Sequence, residues 1–252
     1  MVLNNRRTRI HVTASRLHKW LALIIGAQLL IWFASGVIMS FLPIEKVRGE
    51  HLVDRESVVA LPPGIDLSRL NKMGGKTKSV TVIMIDGHAV ALVEQLDGSS
   101  ELIDAATGQP LAPLDGATAE RIVRSSWLGN KSLAATTQKI TGESTEYRGS
   151  LPAWRVTMSD PESTRIYVDA NTGRIVAVRN GTWRLYDFFW GLHIMDWKNH
   201  ENFNTWWLLT FAIGGLMLGL VGTVLLFMRW PFRRKRRAKR IAQSHENEVA
   251  TR

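Results

Sequence analysis

Hydrophobic and polar positions follow three different patterns along this chain. In two stretches they do not alternate at all. Residues 20–42 form an apolar run of 23 positions in which only Gln28, Ser35 and Ser40 are notably polar, and residues 205–228 form one of 24 positions without a charge. A helix rising about 1.5 Å per residue crosses the hydrocarbon core of a bilayer in about 20 residues. Both runs are therefore expected to be transmembrane helices.

Between them the pattern changes to the period of a strand. Residues 78–86, 88–95 and 153–158 alternate apolar with polar, as half-buried strands do. "ELIDAATGQPLA" (101–112) and "RIYVDANTGRIVA" (165–177) share a layout of strand, Asp-Ala-x-Thr-Gly, strand. Each predicts a hairpin, with an Asx-type turn at Asp104 or Asp169 and a left-handed glycine at Gly108 or Gly173. Helical periodicity covers 67–73 and 118–127. The segment thus reads as two helix-plus-three-strand units, each an antiparallel sheet with one helix on a face. A third pattern occupies 182–204, where Trp183, Tyr186, Trp190, His193 and Trp197 recur at spacings of 3, 4, 3 and 4, one face of a helix.

The expected fold class is an α+β membrane protein, with two transmembrane helices flanking an extracytoplasmic domain of antiparallel sheets with helices. Its parts are a basic N-terminus (1–19), the first span (20–42), the sheet domain (43–181), the aromatic interfacial segment (182–204), the second span (205–228) and a basic tail (229–252).

Charge sharpens this division. The net charge of +10 would suggest a nucleic-acid partner if it were spread over the chain, but it is not. Residues 1–19 carry five Lys or Arg and no acid, residues 229–252 carry nine against two acids, and 43–204 carry 18 basic against 20 acidic side chains. Basic residues flanking spans stay on the cytoplasmic side, so both termini are expected inside and 43–204 outside. The first run could be a cleaved signal peptide, but its apolar core is too long and "FASGVIMS" is a poor cleavage site. An uncleaved signal anchor is expected.

The chain contains no cysteine. That excludes disulfides, thiolate-held iron–sulfur clusters and haem attached through C-x-x-C-H. No H-E-x-x-H or comparable spacing suggests zinc, and neither tail holds G-x-G-x-x-G or a P-loop.

The histidines are the remaining chemistry, and there are seven. His88, in a turn, and His245, in a polar tail, read as solvated surface residues. His18 begins a face continued by Ala22 and Gly26, small side chains that would form a shelf for a flat macrocycle or serve plain helix packing. His193 lies among aromatics, which is either an interfacial belt or the apolar setting of a metal ligand. His51 and His200 lie near the outer ends of the two spans, each a possible second ligand or a surface residue. His11, seven residues before His18, is a weaker alternative on the same helical face.

Several of these segments together resemble a known family. "AWRVTMSDPESTRIYVDANTGRIVAV" is similar to a PepSY domain, and "RLHKWLALIIGAQLLIWFASGVIMSF", "PIEKVRGEH" and "GLHIMDWKNHENFN" resemble PepSY-associated membrane proteins. The resemblance covers most of the chain. It implies an inner-membrane reductase of ferric iron or ferric siderophore, supporting bacterial iron uptake, with non-covalent haem b between the helices. On this reading His18 and His193 are axial ligands to the haem iron, and His51 ranks above His200 because its surroundings match better. Electrons would come from a quinol or a separate donor, and iron would be reduced in the periplasm. The competing expectation is a membrane-tethered regulatory or binding module without redox activity. A transporter fits badly, since neither span holds a central ionisable residue. Larger relatives have four or more membrane helices. A homodimer would bring this chain to four, using Gly215, Gly219 and Gly222 on the second span and Ala22 and Gly26 on the first.

Overall fold

The computed structural model describes residues 2–55, 76–85 and 87–229, with the side chains of 2–15, 17, 18 and 224–229 excepted. The chain forms two compact units, Met1–Gly36 with Gly191–Arg252, and Val37–Trp190.

The first unit is built on two long helices. Helix α1 spans Val2–Phe41 and stops before Leu42-Pro43, because proline disfavours helical geometry in the residue preceding it. Helix α5 spans Trp206–Arg229. Thr205 caps it, its hydroxyl accepting from the Leu208 N–H at 3.3 Å. The apolar side chains of these helices point mostly outward: Leu23, Leu30 and Phe33 on α1, and Leu209, Ile213, Leu216 and Leu220 on α5, are exposed. A helix of a soluble core would bury these residues. Lys19–Phe41 and Trp206–Thr223 are long and apolar enough to cross a membrane. Helicity begins well before the first apolar run, since the backbone of the basic N-terminal segment continues α1.

The second unit follows α1 through the short helix α2 (Ile44–Arg48). Strands β1 (Thr77–Ile85), β2 (His88–Gln95) and β3 (Ser100–Asp104) form an antiparallel sheet in that order. Helix α3 (Gly116–Ser126) follows, with Asp115 at its N-cap accepting from the Thr118 N–H at 2.7 Å. Strands β4 (Ala135–Ile140), β5 (Ala153–Met158), β6 (Arg165–Asp169) and β7 (Ile175–Arg179) make a second antiparallel sheet, again in sequence order. Helix α4 (Gly181–Ile194) leads back to the first unit.

The apolar face of α3 explains the core. Ala119 and Val123 pack with Val53, Trp127, Val156, Ile166, Val168 and Val178. Ile122, one position away, packs against both this cluster and that of Ile85, Val90, Leu92 and Leu102. One helix face therefore joins the two sheets.

Both predicted Asx turns are present. Asp104 Oδ1 accepts from the N–H groups of Ala106 and Thr107, and Asp169 Oδ1 from those of Asn171 and Thr172. Gly108 and Gly173 have φ of 73° and 69°. The second turn joins a full hairpin, whereas the first leads only to a bridge between Ile103 and Pro110. Proline has no N–H for a ladder, and Pro113 follows three residues later. The expected pair of equal three-stranded units is also corrected, because the second sheet gains β4. This edge strand, "ATTQKI", is only partly buried and carries little apolar alternation to mark it. The helix expected over 67–73 lies outside the described residues.

Candidate functional site

The two long helices meet along narrow stripes. On α5, Gly214 and Gly215 face α1: a Cβ at Gly214 would lie 2.9 Å from Ile25 Cδ1, and one at Gly215 would lie 3.2 Å from Leu29 Cδ2. Both glycines are thus committed to packing within the chain. Gly219, Gly222 and Gly26 have no described atom within 4 Å of such a Cβ. The small-residue face expected for a second copy is accordingly divided, with Gly215 occupied and Gly219, Gly222 and Gly26 open.

Further along α1, Gln28, Trp32 and Ser35 succeed one another at spacings of four and three, on one face of the helix. His193 of α4 meets this face. Its Nδ1 lies 3.1 Å from Ser35 Oγ, and Ser35 is only 1% exposed. The Ser35 hydroxyl also donates to the Trp32 carbonyl at 3.0 Å. The Trp32 and His193 ring centroids are 6.4 Å apart with the planes tilted by 40°. Gly36 admits the imidazole edge: a Cβ there would stand 3.5 Å from His193 Cε1. Three residues of α1 therefore fix the orientation of one ring.

The segment after His193 is held by a carboxylate. Helix α4 ends at Ile194, and Met195 turns the chain with φ 55°. Asp196 then accepts backbone N–H groups from Lys198, Asn199, Glu201 and Asn202 at 3.0–3.3 Å. The donors of Asn202 and Glu201 lead in holding its pKa down at about 2, with those of Asn199 and Lys198 adding. Within this loop His200 has φ 57° and its ring rests against Gly191, where a Cβ would stand 2.6 Å from Nε2. The expected continuous aromatic face stops short of its last member. Trp183, Tyr186, Trp190 and His193 belong to α4, but Trp197 lies beyond the helix end and is 62% exposed.

His193 is thus the sequence-predicted ligand with a built environment. His200 lies one turn of chain away in the same unit, against Gly191. His51 is exposed in the turn after α2, in the other unit, and His88 is exposed at the start of β2. His18 and His11 belong to α1, and their side chains, like all of His245, lie outside the described residues. Helix geometry nevertheless separates His18 from His193. His18 precedes Ser35 by 17 positions, a rise of about 25 Å. His18 thus lies on α1 well before the face that His193 of α4 meets.

The donor that the site offers is a single oriented imidazole. Among the described residues no three of His, Asp or Glu come together as a metal cluster. A haem supplies its own ring nitrogens and needs only one or two axial ligands, for which a single oriented imidazole is adequate. The side chains of Gln28 and Trp32 add a second observation: Gln28 Nε2 and Trp32 Nε1 are buried without a hydrogen-bond partner. Buried donors call for acceptors.

Sequence reasoning missed Ser35, Trp32 and Gln28 as parts of the site. The signal was their helical spacing: they were visible as polar or amphipathic positions in an apolar run, but nothing in the sequence aligned them with His193, 158 residues away from Ser35.

A second polar centre lies wholly in the sheet unit. The Glu146 carboxylate accepts from Arg165 at 2.8 Å, Tyr167 at 3.0 Å and Arg184 at 3.2 Å. Burial alone would raise its pKa, but these donors together hold it below the usual value. Tyr167 stacks on Tyr147 with centroids 4.8 Å apart. Every member has a partner within the network, which makes it a structural tie between β6, the loop before β5 and α4.

A family model described as the PepSY-associated TM region matches residues 15–246. No curated protein and no solved structure matches the chain.

Proposed function

The chain belongs to the family of the PepSY-associated transmembrane region, and from that premise we propose that it is a haem-containing membrane reductase. It passes electrons across the inner membrane to ferric iron or a ferric siderophore in the periplasm and so supports iron uptake. The observation that carries this reading is the His193 imidazole, oriented by Ser35 through Nδ1 and set against Gly36 and Trp32. Metal-binding histidines characteristically engage their second ring nitrogen in this way.

Haem b, held without a covalent bond, would supply one-electron transfer. His193 would hold its iron, and the apolar residues around the site would limit water. His18, about 25 Å of helix away from Ser35, would hold haem iron at the cytoplasmic end. Each ferric ion gains one electron, and the resulting Fe(II) leaves hard oxygen ligands more readily than Fe(III) does. The electron comes from a quinol or a separate donor.

The orientation follows from the basic flanks: both termini are cytoplasmic and 43–204 is periplasmic. Two copies would form a four-helix bundle, with His18 supplied by both subunits. Gly26, Gly219 and Gly222, without a neighbour among the described residues, support this packing.

The test is the absorption spectrum of the detergent-extracted protein before and after dithionite, followed by quinol-driven reduction of a ferric chelate. A Soret band that shifts on reduction, with chelate reduction, is expected. A colourless, folded protein would overturn the redox reading and favour a membrane-tethered binding module.

A further inference from the structure

The contact between Ser35 and His193 determines where the imidazole proton sits. A serine hydroxyl has a single hydrogen and two lone pairs. The Trp32 carbonyl can only accept, and Ser35 Oγ is 3.0 Å from it. This is the back-bond that helical serines make to the preceding turn, and it uses the only hydrogen the hydroxyl has. Toward His193, Ser35 therefore offers a lone pair. The 3.1 Å contact is a hydrogen bond only if Nδ1 carries hydrogen and donates it. A neutral imidazole has one N–H, so Nε2 is left with its lone pair exposed.

We propose that Ser35 is a positioning residue that holds the His193 proton on Nδ1 and leaves Nε2 as the electron-pair donor of the ring. The near-complete burial of Ser35 keeps water from replacing it. Gly36 lies beside the ring, whose Cε1 is 3.5 Å from where a Cβ would stand, so the imidazole edge packs directly on the helix. The opposite tautomer would leave two lone pairs facing each other, or force the hydroxyl off the Trp32 carbonyl. A ring pre-set in this way needs no rearrangement before it binds a metal. Donation from Nδ1–H also makes Nε2 a stronger donor, which stabilises the oxidised form of a bound iron.

The consequence for iron rests on the haem reading above, but the tautomer does not, and the experiment separates them. Full-length protein in micelles, free of haem and labelled with 15N-histidine, is examined at about pH 8.5, where free imidazole is neutral. Long-range 1H–15N correlation distinguishes protonated from bare ring nitrogens. His193 is expected to show a protonated Nδ1 and a bare Nε2. Ser35→Ala should shift it toward the Nε2–H form preferred by free histidine, and Ser35→Thr, which retains the hydroxyl, should restore the wild-type pattern. Circular dichroism checks that each variant is folded.

In haem-loaded protein, Ser35→Ala should raise the midpoint potential and Ser35→Thr should reverse the rise. A wild-type His193 protonated on Nε2 would overturn the proposal whether or not haem binds. So would a Ser35→Ala protein that keeps the wild-type tautomer. The expected tautomer in a protein that takes up no haem would support the proposal while refuting the haem function.

Discussion

Asn180 offers a perturbation whose size can be worked from its contacts. It is fully buried at the N-cap of α4 and has two roles. Its Oδ1 accepts the Trp183 N–H at 2.7 Å, and its Nδ2 donates to the Lys46 carbonyl of α2 at 2.8 Å. Replacing a capping Asn with Ala costs about 1 kcal/mol. Losing the second hydrogen bond costs about 1 kcal/mol more. That second term stays modest because the Lys46 carbonyl keeps another donor, the Gly49 N–H at 3.1 Å. Truncation at a buried site adds a small void, so Asn180→Ala should cost about 2–3 kcal/mol. Asn180→Ser restores a capping oxygen but not the donor and should recover about 1 kcal/mol. The assay is urea denaturation of the full chain in micelles, followed by near-ultraviolet circular dichroism, where the stacked Tyr147 and Tyr167 report on the sheet unit. A loss below about 0.5 kcal/mol for the alanine variant, or a serine variant no better than alanine, would refute the reasoning.

Other outcomes follow from the same contacts. Asp196 has its folded pKa lowered to about 2, so its clasp contributes stability above the ordinary carboxylate range near 3.9 and loses it as pH falls toward 2. Amide exchange at Lys198, Asn199, Glu201 and Asn202 should therefore accelerate between about pH 4 and pH 2 relative to the intrinsic rate, and a flat ratio would contradict the clasp. Gly191→Ala should displace the His200 ring, because the new Cβ would stand 2.6 Å from Nε2; haem content should remain unchanged, and its loss would reassign the ligand to His200. Gly219→Leu should convert a dimer to a monomer in detergent mass measurements, since no described atom of the single chain covers that position, whereas an unchanged mass would place the dimer contact elsewhere.

What the sequence made legible follows from how local each feature is. The spans were readable because apolar composition over some twenty residues depends on no distant partner. The turns at Asp104 and Asp169 were readable for a similar reason, since an Asx carboxylate and a left-handed glycine act within five residues. Strand β4 was not, because its partner β5 supplies most of the order and its own residues alternate weakly. Trp197 kept the helical spacing of α4 in sequence, yet the chain turns at Met195 before reaching it. At the site, His193 stood out by its aromatic setting. Ser35 did not, because its meaning comes from a tertiary contact: a serine in an apolar helix usually does no more than bond back to its own backbone.

Haem content per chain tests the central claim most directly. The full-length protein, His193→Ala and the surface control His88→Ala are purified side by side, and haem is assayed against protein for each. The account predicts bound haem in the wild type and in His88→Ala, and a marked loss in His193→Ala. Equal haem in all three proteins, or none in the wild type, would contradict it.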